Sequence, residues 1–216
     1  MSRQQEALIM SDAVAANKLA VDVTIKEGIA IGVKNIGPIL VNVILWCLTF
    51  WIPYLNVGTT IGLGVGIVSK ASRGDIISMT EIFDPKYRKY MGEYFLTAGL
   101  VSLGVGVGIV FFIIPGIVIG LAWSLAVLLV IDKGKNPAEA ITLSNDCTYG
   151  YKWRMTGIYF LVALVFTVAQ LILGFIGAKL RIGGFTGFLV FLSLLFEIFV
   201  FIGLQASVYK QLTEDI

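Results

Sequence analysis

Glu197 is the residue in this chain with the most chemistry to offer, because of where it lies. It falls inside a long apolar stretch, eight residues before Gln205. An ionisable group at that depth costs about 2.5–3.5 kcal/mol on insertion scales, so it needs a partner or a purpose. Three other polar residues stand at a similar count from the charged ends of their own apolar stretches. Asn42 is eight residues after Lys34, Ser124 eight before Asp132, and Ser102 nine after Glu93. Eight helical residues rise about 12 Å, close to mid-membrane. Asn42, Ser102, Ser124 and Glu197 are therefore expected to converge in one small intramembrane polar site. Such a site would serve a small transporter or lipid-handling protein; otherwise these residues supply hydrogen bonds between helices, or Glu197 is protonated and merely tolerated.

The remaining chemistry is sparse. The chain has no histidine, which removes the commonest metal ligand and general base. Cys47 and Cys147 fall on opposite sides of the expected topology, so no intrachain disulfide is expected. The strings Gly62-Leu63-Gly64-Val65-Gly66 and Gly104-Val105-Gly106-Val107-Gly108 look superficially like phosphate loops. They lie in apolar stretches without a preceding strand or a following Lys-Ser/Thr, so no nucleotide site is expected. No catalytic residue, metal or cofactor is expected, and the chain does not read as an enzyme.

Membrane helices must position these residues. Apolar residues make up 57% of the 216 and charged residues 14%. Mean hydropathy is +0.90. A soluble core of this size could not hide so much apolar surface. About 20 apolar residues in a helix cross the hydrocarbon. Six stretches qualify: Ile29 to Trp51, Val57 to Ser69, Tyr94 to Ile114, Ile117 to Ile131, Met155 to Gly177, and Phe185 to Val208. The second is short and glycine-rich, and reads as tilted, partly buried or re-entrant. Pro115-Gly116 is expected to turn the chain from the third into the fourth. The expected fold is all-α: a single six-span domain over 27–216, preceded by an amphipathic N-terminal segment over 1–26. No uninterrupted apolar run opens the chain, so no cleavable signal is expected.

The basic residues set the sidedness. Fourteen of the 16 lie in the N-terminal region and first turn of span one, the second and fourth gaps, and the tail. Only Lys179 and Arg181 lie opposite. That places both termini in the cytoplasm. No basic run is dense enough for nucleic acid.

Glycines recur at helix-packing spacing. Gly28 and Gly32, then Gly58, Gly62 and Gly66, then Gly104 and Gly108, then Gly116 and Gly120 each share a helix face. In lipid, close backbone approach drives helix association, so these faces predict tight internal packing or self-association. Between spans, Asn136, Pro137 and Glu139 read as the start of a capped helix that Gly150 ends. Its weakly apolar face of Ala140, Ile141, Ser144, Cys147 and Thr148 is expected to lie on the membrane. Ile76 to Phe83 is a lesser version.

Several short motifs recur in a recognisable order. They are Gly66 to Arg73, Glu81-Ile82-Phe83, Ile113-Ile114-Pro115-Gly116-Ile117, Trp123-Ser124-Leu125-Ala126, Asp132-Lys133-Gly134-Lys135, Glu139-Ala140-Ile141 with Ser144, and Gly150-Tyr151-Lys152-Trp153. In this order, over roughly Pro53 to Phe160, the chain resembles the YciC-like bacterial membrane proteins. It is similar also to the membrane domain attached to some glycerophosphodiester phosphodiesterases. The resemblance implies a six-span α-helical protein of the bacterial inner membrane with no established activity and no catalytic residues. Three roles follow, in descending order. The first is a non-enzymatic structural, envelope or assembly factor that contacts lipids, a second copy or another membrane protein. The second is a small transporter or lipid-handling protein built around Glu197. The third is a membrane-embedded enzyme.

Overall fold

A computed structural model describes residues 19–216. Most of the expected N-terminal amphipathic segment, including all of residues 1–18, lies outside the described residues. Every element among the described residues is helical. The helices are α1 (Val21–Lys34), α2 (Ile36–Thr49), α3 (Leu55–Ile61), α4 (Ile67–Arg73), α5 (Lys86–Lys89), α6 (Met91–Phe111), α7 (Ile113–Ala122), α8 (Ala126–Lys133), α9 (Pro137–Thr148), α10 (Lys152–Leu180) and α11 (Gly183–Thr213). A π-helical turn, Gly62–Gly66, joins α3 to α4.

Four segments are long and apolar enough to cross a membrane: α6, α7 with α8, α10 and α11. They correspond to the third to sixth expected stretches. The first expected stretch is not one straight helix. Its residues are divided between α1 and α2, which are bent by 68° about Asn35 and would make a fifth span if they count as one. Pro38 is the cause. In a continuous helix its ring would strike the Lys34 carbonyl, and it has no N–H to donate there. Among the described residues, four helical segments, or five with the bent pair, are therefore long and apolar enough to cross a membrane. The second stretch is the α3–π–α4 helix, whose glycine face is covered by the polar segment that follows it. A Cβ on Gly58 would strike the Arg88 side chain, one on Gly62 the Ile82 backbone, and one on Gly66 the Tyr87 ring.

The core sits towards one end of the molecule. It is formed by α4, α8, the C-terminal half of α11 and the first turns of α10, through Ile67, Val68, Leu128, Leu129, Ile158 and Leu204. From this body two apolar hairpins project, α6–α7 and α10–α11, with exposed side chains such as Val110, Phe112, Leu171 and Phe185. Phe112, in extended conformation, makes the first hairpin turn. The turn thus comes before Pro115, which lies inside the opening turn of α7, where a missing N–H is harmless. Gly108 and Gly116 then let α6 and α7 meet almost backbone to backbone, and Gly104 seats the Trp123 ring, whereas Gly120 has only an ordinary contact with Val105.

Helix α1 runs antiparallel to the end of α11. Thr24 donates to Gln211 at 3.1 Å, Ser207 donates to Glu27 at 2.8 Å, and Gly28 and Gly32 lie against Gly203, Leu204 and Phe199. The described N-terminal end and the C-terminal end of the chain therefore share one end of the bundle, together with Arg73 and Asp132.

Helix α9 begins as its sequence dictates. Asn136 accepts from the Glu139 N–H at 2.9 Å and returns a hydrogen bond to the Glu139 carboxylate at 3.3 Å. Its face of Ala140, Ser144 and Thr148 is buried against the protein itself. Ser144 accepts from the Leu125 N–H at 3.1 Å and donates to the Ala122 carbonyl at 2.8 Å, and Thr148 donates to the same carbonyl at 3.2 Å. These bonds satisfy backbone groups freed at the break between α7 and α8.

Candidate functional site

The expected convergence of Asn42, Ser102, Ser124 and Glu197 is not what their bonds describe. Asn42 is fully buried on α2 and pins the segment after α4. Its amide donates to the Ser78 and Pro38 carbonyls, each at 2.8 Å, and accepts from the Ile82 N–H at 3.1 Å. Ser102 is exposed on α6. Ser124, also exposed, donates to the Leu121 carbonyl at 2.9 Å within the α7–α8 break. Glu197 is half-buried and accepts from Gln170 across the α10–α11 hairpin at 3.1 Å. Equal counts along four helices set equal depth only if the helices stand parallel from a common plane, and the bend at Asn35 and the break at Trp123 remove that condition.

The polar residues that do gather surround two other carboxylates. Asp132 ends the apolar run of α8, and Gly134, in the left-handed region at φ 63°, turns the chain away immediately after it. The Asp132 side chain is only 4% exposed and pairs with Arg73. One of its oxygens accepts from Arg73 and from Ser69, both on α4. The other accepts from the Tyr209 hydroxyl on α11 at 2.8 Å. Asp132 therefore ties three helices together at one point.

Glu81 is the second, 3% exposed, in a short 3-10 turn. It accepts from Lys70 on α4 at 2.8 Å, from Tyr87 at 2.6 Å and from Lys86 at 3.3 Å. Burial by itself would raise the Glu81 carboxyl, but the hydrogen bonds from Lys70 and Tyr87, with the Lys70 charge, hold it below its ordinary value. Burial likewise works against the Lys86 ammonium, and Asp84 and Glu81 together carry it above its ordinary range. Burial and then the Glu81 hydrogen bond push the Tyr87 phenol well up. Residues 75–90 are thus folded onto the protein, with Ile82 and Tyr87 buried; of the surface helix expected over Ile76 to Phe83, only the 3-10 turn Glu81–Phe83 forms.

A cleft of about 190 Å³ separates the two clusters, lined by Ser69, Lys70, Arg73, Lys86, Tyr87 and Asp132 among others. A third tie lies beside them, where Glu27 on α1 accepts from Lys210 at 2.7 Å and from Gln211 at 2.9 Å on α11. Asp132, Glu81 and Glu27 are each met by a cation and by neutral donors, the arrangement that makes a buried charge tolerable. Chemically this is a set of clamps. In the sequence Lys70 and Arg73 stand among the gap cations, and Glu81 and Asp132 stand in short motifs with no partner indicated. Their signal was present: opposite charges at the ends of apolar runs, where unpaired burial would be costly.

No protein-family model, curated protein or solved structure matches this chain.

Proposed function

We propose that this is a non-enzymatic protein of the bacterial inner membrane, its clamped end in the cytoplasm, that acts as a structural or assembly factor through lipid contact and association with a second copy or another membrane protein. The observation that carries the reading is the Gln170–Glu197 pair. It lies midway along α10 and α11, half-exposed, on a hairpin whose outer faces are otherwise bare apolar surface. A carboxyl group at that depth with one amide partner is costly against lipid, and a further helix covering it would relieve that cost. The clamps support the same reading, since they spend the buried carboxylates on holding helices together. The motifs that carry the YciC-like resemblance supply them: Ser69, Lys70, Arg73, Glu81 and Asp132 all fall within those strings. The basic side chains gathered at the clamped end support a cytoplasmic placement.

Native mass spectrometry of the protein released from mild detergent, before and after delipidation, tests this. A fixed oligomer is expected to survive delipidation and to dissociate in Glu197→Leu. A monomer under every condition, joined to a Glu197-dependent solute flux in proteoliposomes, would replace this reading with transport.

A further inference from the structure

A groove of about 430 Å³ opens sideways between α7 and the start of α10. Its floor is apolar: Ile114, Ile117, Val118 and Leu121 stand at i, i+3, i+4 and i+7 on one face of α7. That face runs about 10 Å along the helix axis. Its rim carries Lys152 and Trp153 at the first turn of α10, with Tyr149 beside them. Trp153 and Tyr149 are largely exposed, at 74% and 76%. Aromatic side chains with polar tips favour the plane where headgroups meet hydrocarbon.

Lys152 distinguishes this groove from ordinary lipid-facing surface. Its ammonium donates to the neutral Asn145 amide at 3.2 Å and lies 5.8 Å from the Tyr149 ring centroid. Lys70, Lys86, Lys135 and Lys210, by contrast, each pair with a carboxylate. The positive charge at the groove's mouth is therefore available to an anion. The groove below it continues into the exposed apolar surface at Ile114 and Phe160.

We propose that this groove holds one acyl chain of an anionic phospholipid, with Lys152 contacting its phosphate and Trp153 and Tyr149 fixing its depth. The inference rests on the lipid-contact part of the proposed function and is independent of assembly.

Delipidated full-length protein is titrated with phosphatidylglycerol or phosphatidylcholine, and bound lipid is counted by native mass spectrometry. Wild type should retain one phosphatidylglycerol in preference to phosphatidylcholine. Lys152→Gln should lower that preference by about tenfold, the loss of one charge-assisted contact. Val118→Trp, which fills the groove, should weaken retention of both lipids. Inorganic phosphate in excess should not displace the lipid. Chain-brominated phosphatidylglycerol should quench wild-type emission more than that of Trp153→Phe, a readout that needs no groove-filling variant to fold. Equal retention of the two lipids by wild type, an unchanged preference in Lys152→Gln, or quenching that ignores Trp153 would each overturn the proposal. The same spectra report the oligomer separately, so lipid retention without assembly would remove only the assembly reading.

Discussion

Arg73 of α4 reaches across to Asp132 at the end of α8, and the Tyr209 hydroxyl of α11 meets the other oxygen of the same carboxylate at 2.8 Å. Three helices distant in sequence are thereby fixed at one point by a side chain that is almost completely buried. Removing one partner from a buried pair leaves the other uncompensated, which typically costs about 3–5 kcal/mol. Arg73 is itself 46% exposed, so solvent screens part of its contribution.

Asp132→Ala should therefore destabilise the fold by about 2–4 kcal/mol, the lower figures of that range reflecting the screened Arg73. Tyr209→Phe should cost less, about 1 kcal/mol, because it removes a single hydrogen bond. Thermal unfolding in detergent, followed by helical circular dichroism, checks both. Equal midpoints for wild type and Asp132→Ala would deny the clamp its role.

The segment from Asp75 to Tyr90 should respond to pH in two windows. Glu81 is held below its ordinary 4.5, so its contribution is complete above that value and is lost as pH falls through the lower folded value. Lys86 and Tyr87 are held above their ordinary 10.5 and 10.0. Their contributions are complete below those values and are lost as pH rises through the higher folded ones. Hydrogen-exchange protection over residues 75–90, taken relative to the intrinsic rate at each pH, should fall below about pH 4.5. Glu81→Gln should reduce the acid response to the part carried by Asp84, which, against burial, Lys86 also holds below its ordinary value. An acid response unaltered in that variant would place its origin elsewhere.

Glycines should divide sharply by their surroundings. A Cβ on Gly203 would come within 2.0 Å of the Gly28 carbonyl oxygen, and one on Gly32 within 2.4 Å of the Phe199 carbonyl. Backbone cannot move aside as a flexible side chain can, so Gly203→Val should separate α1 from α11 and abolish the folded protein in detergent. Gly99 has nothing within 4 Å of its added Cβ. Gly99→Ala should be neutral or stabilising by up to about 1 kcal/mol through helix propensity. Expression and size-exclusion profiles of the two variants make the comparison; equal profiles would contradict the close α1–α11 approach.

The four residues singled out in the sequence should behave differently from one another. Asn42→Ala leaves the Ser78 carbonyl and the Ile82 N–H without their partner, at about 1–3 kcal/mol. Ser102→Ala changes an exposed side chain and should shift stability by less than about 0.5 kcal/mol. Limited proteolysis between Gly74 and Lys86 should be faster in Asn42→Ala and unchanged in Ser102→Ala. Equal cleavage of both would show that Asn42 does not pin this segment.

The sequence by itself determined the class of the molecule, because hydropathy acts over lengths that only a helix in hydrocarbon satisfies. The long runs of α6, α10 and α11 were legible for that reason. The start of α9 was legible because Asn136, Pro137 and Glu139 cap it through local bonds alone. Packing against other parts of the chain decided the rest. Pro38 bends a run that composition reads as one span, since a single missing N–H and one steric clash do not register in a hydropathy average. The glycine face of α3–π–α4 announced close packing, but only the fold shows that its partner is the segment carrying Ile82, Tyr87 and Arg88. Likewise Arg73, Asp132 and Tyr209 stand far apart in the chain, and their meeting depends on the rotation of three helices. Periodicity along any one of them does not encode that rotation; the mutual fit of their side chains does.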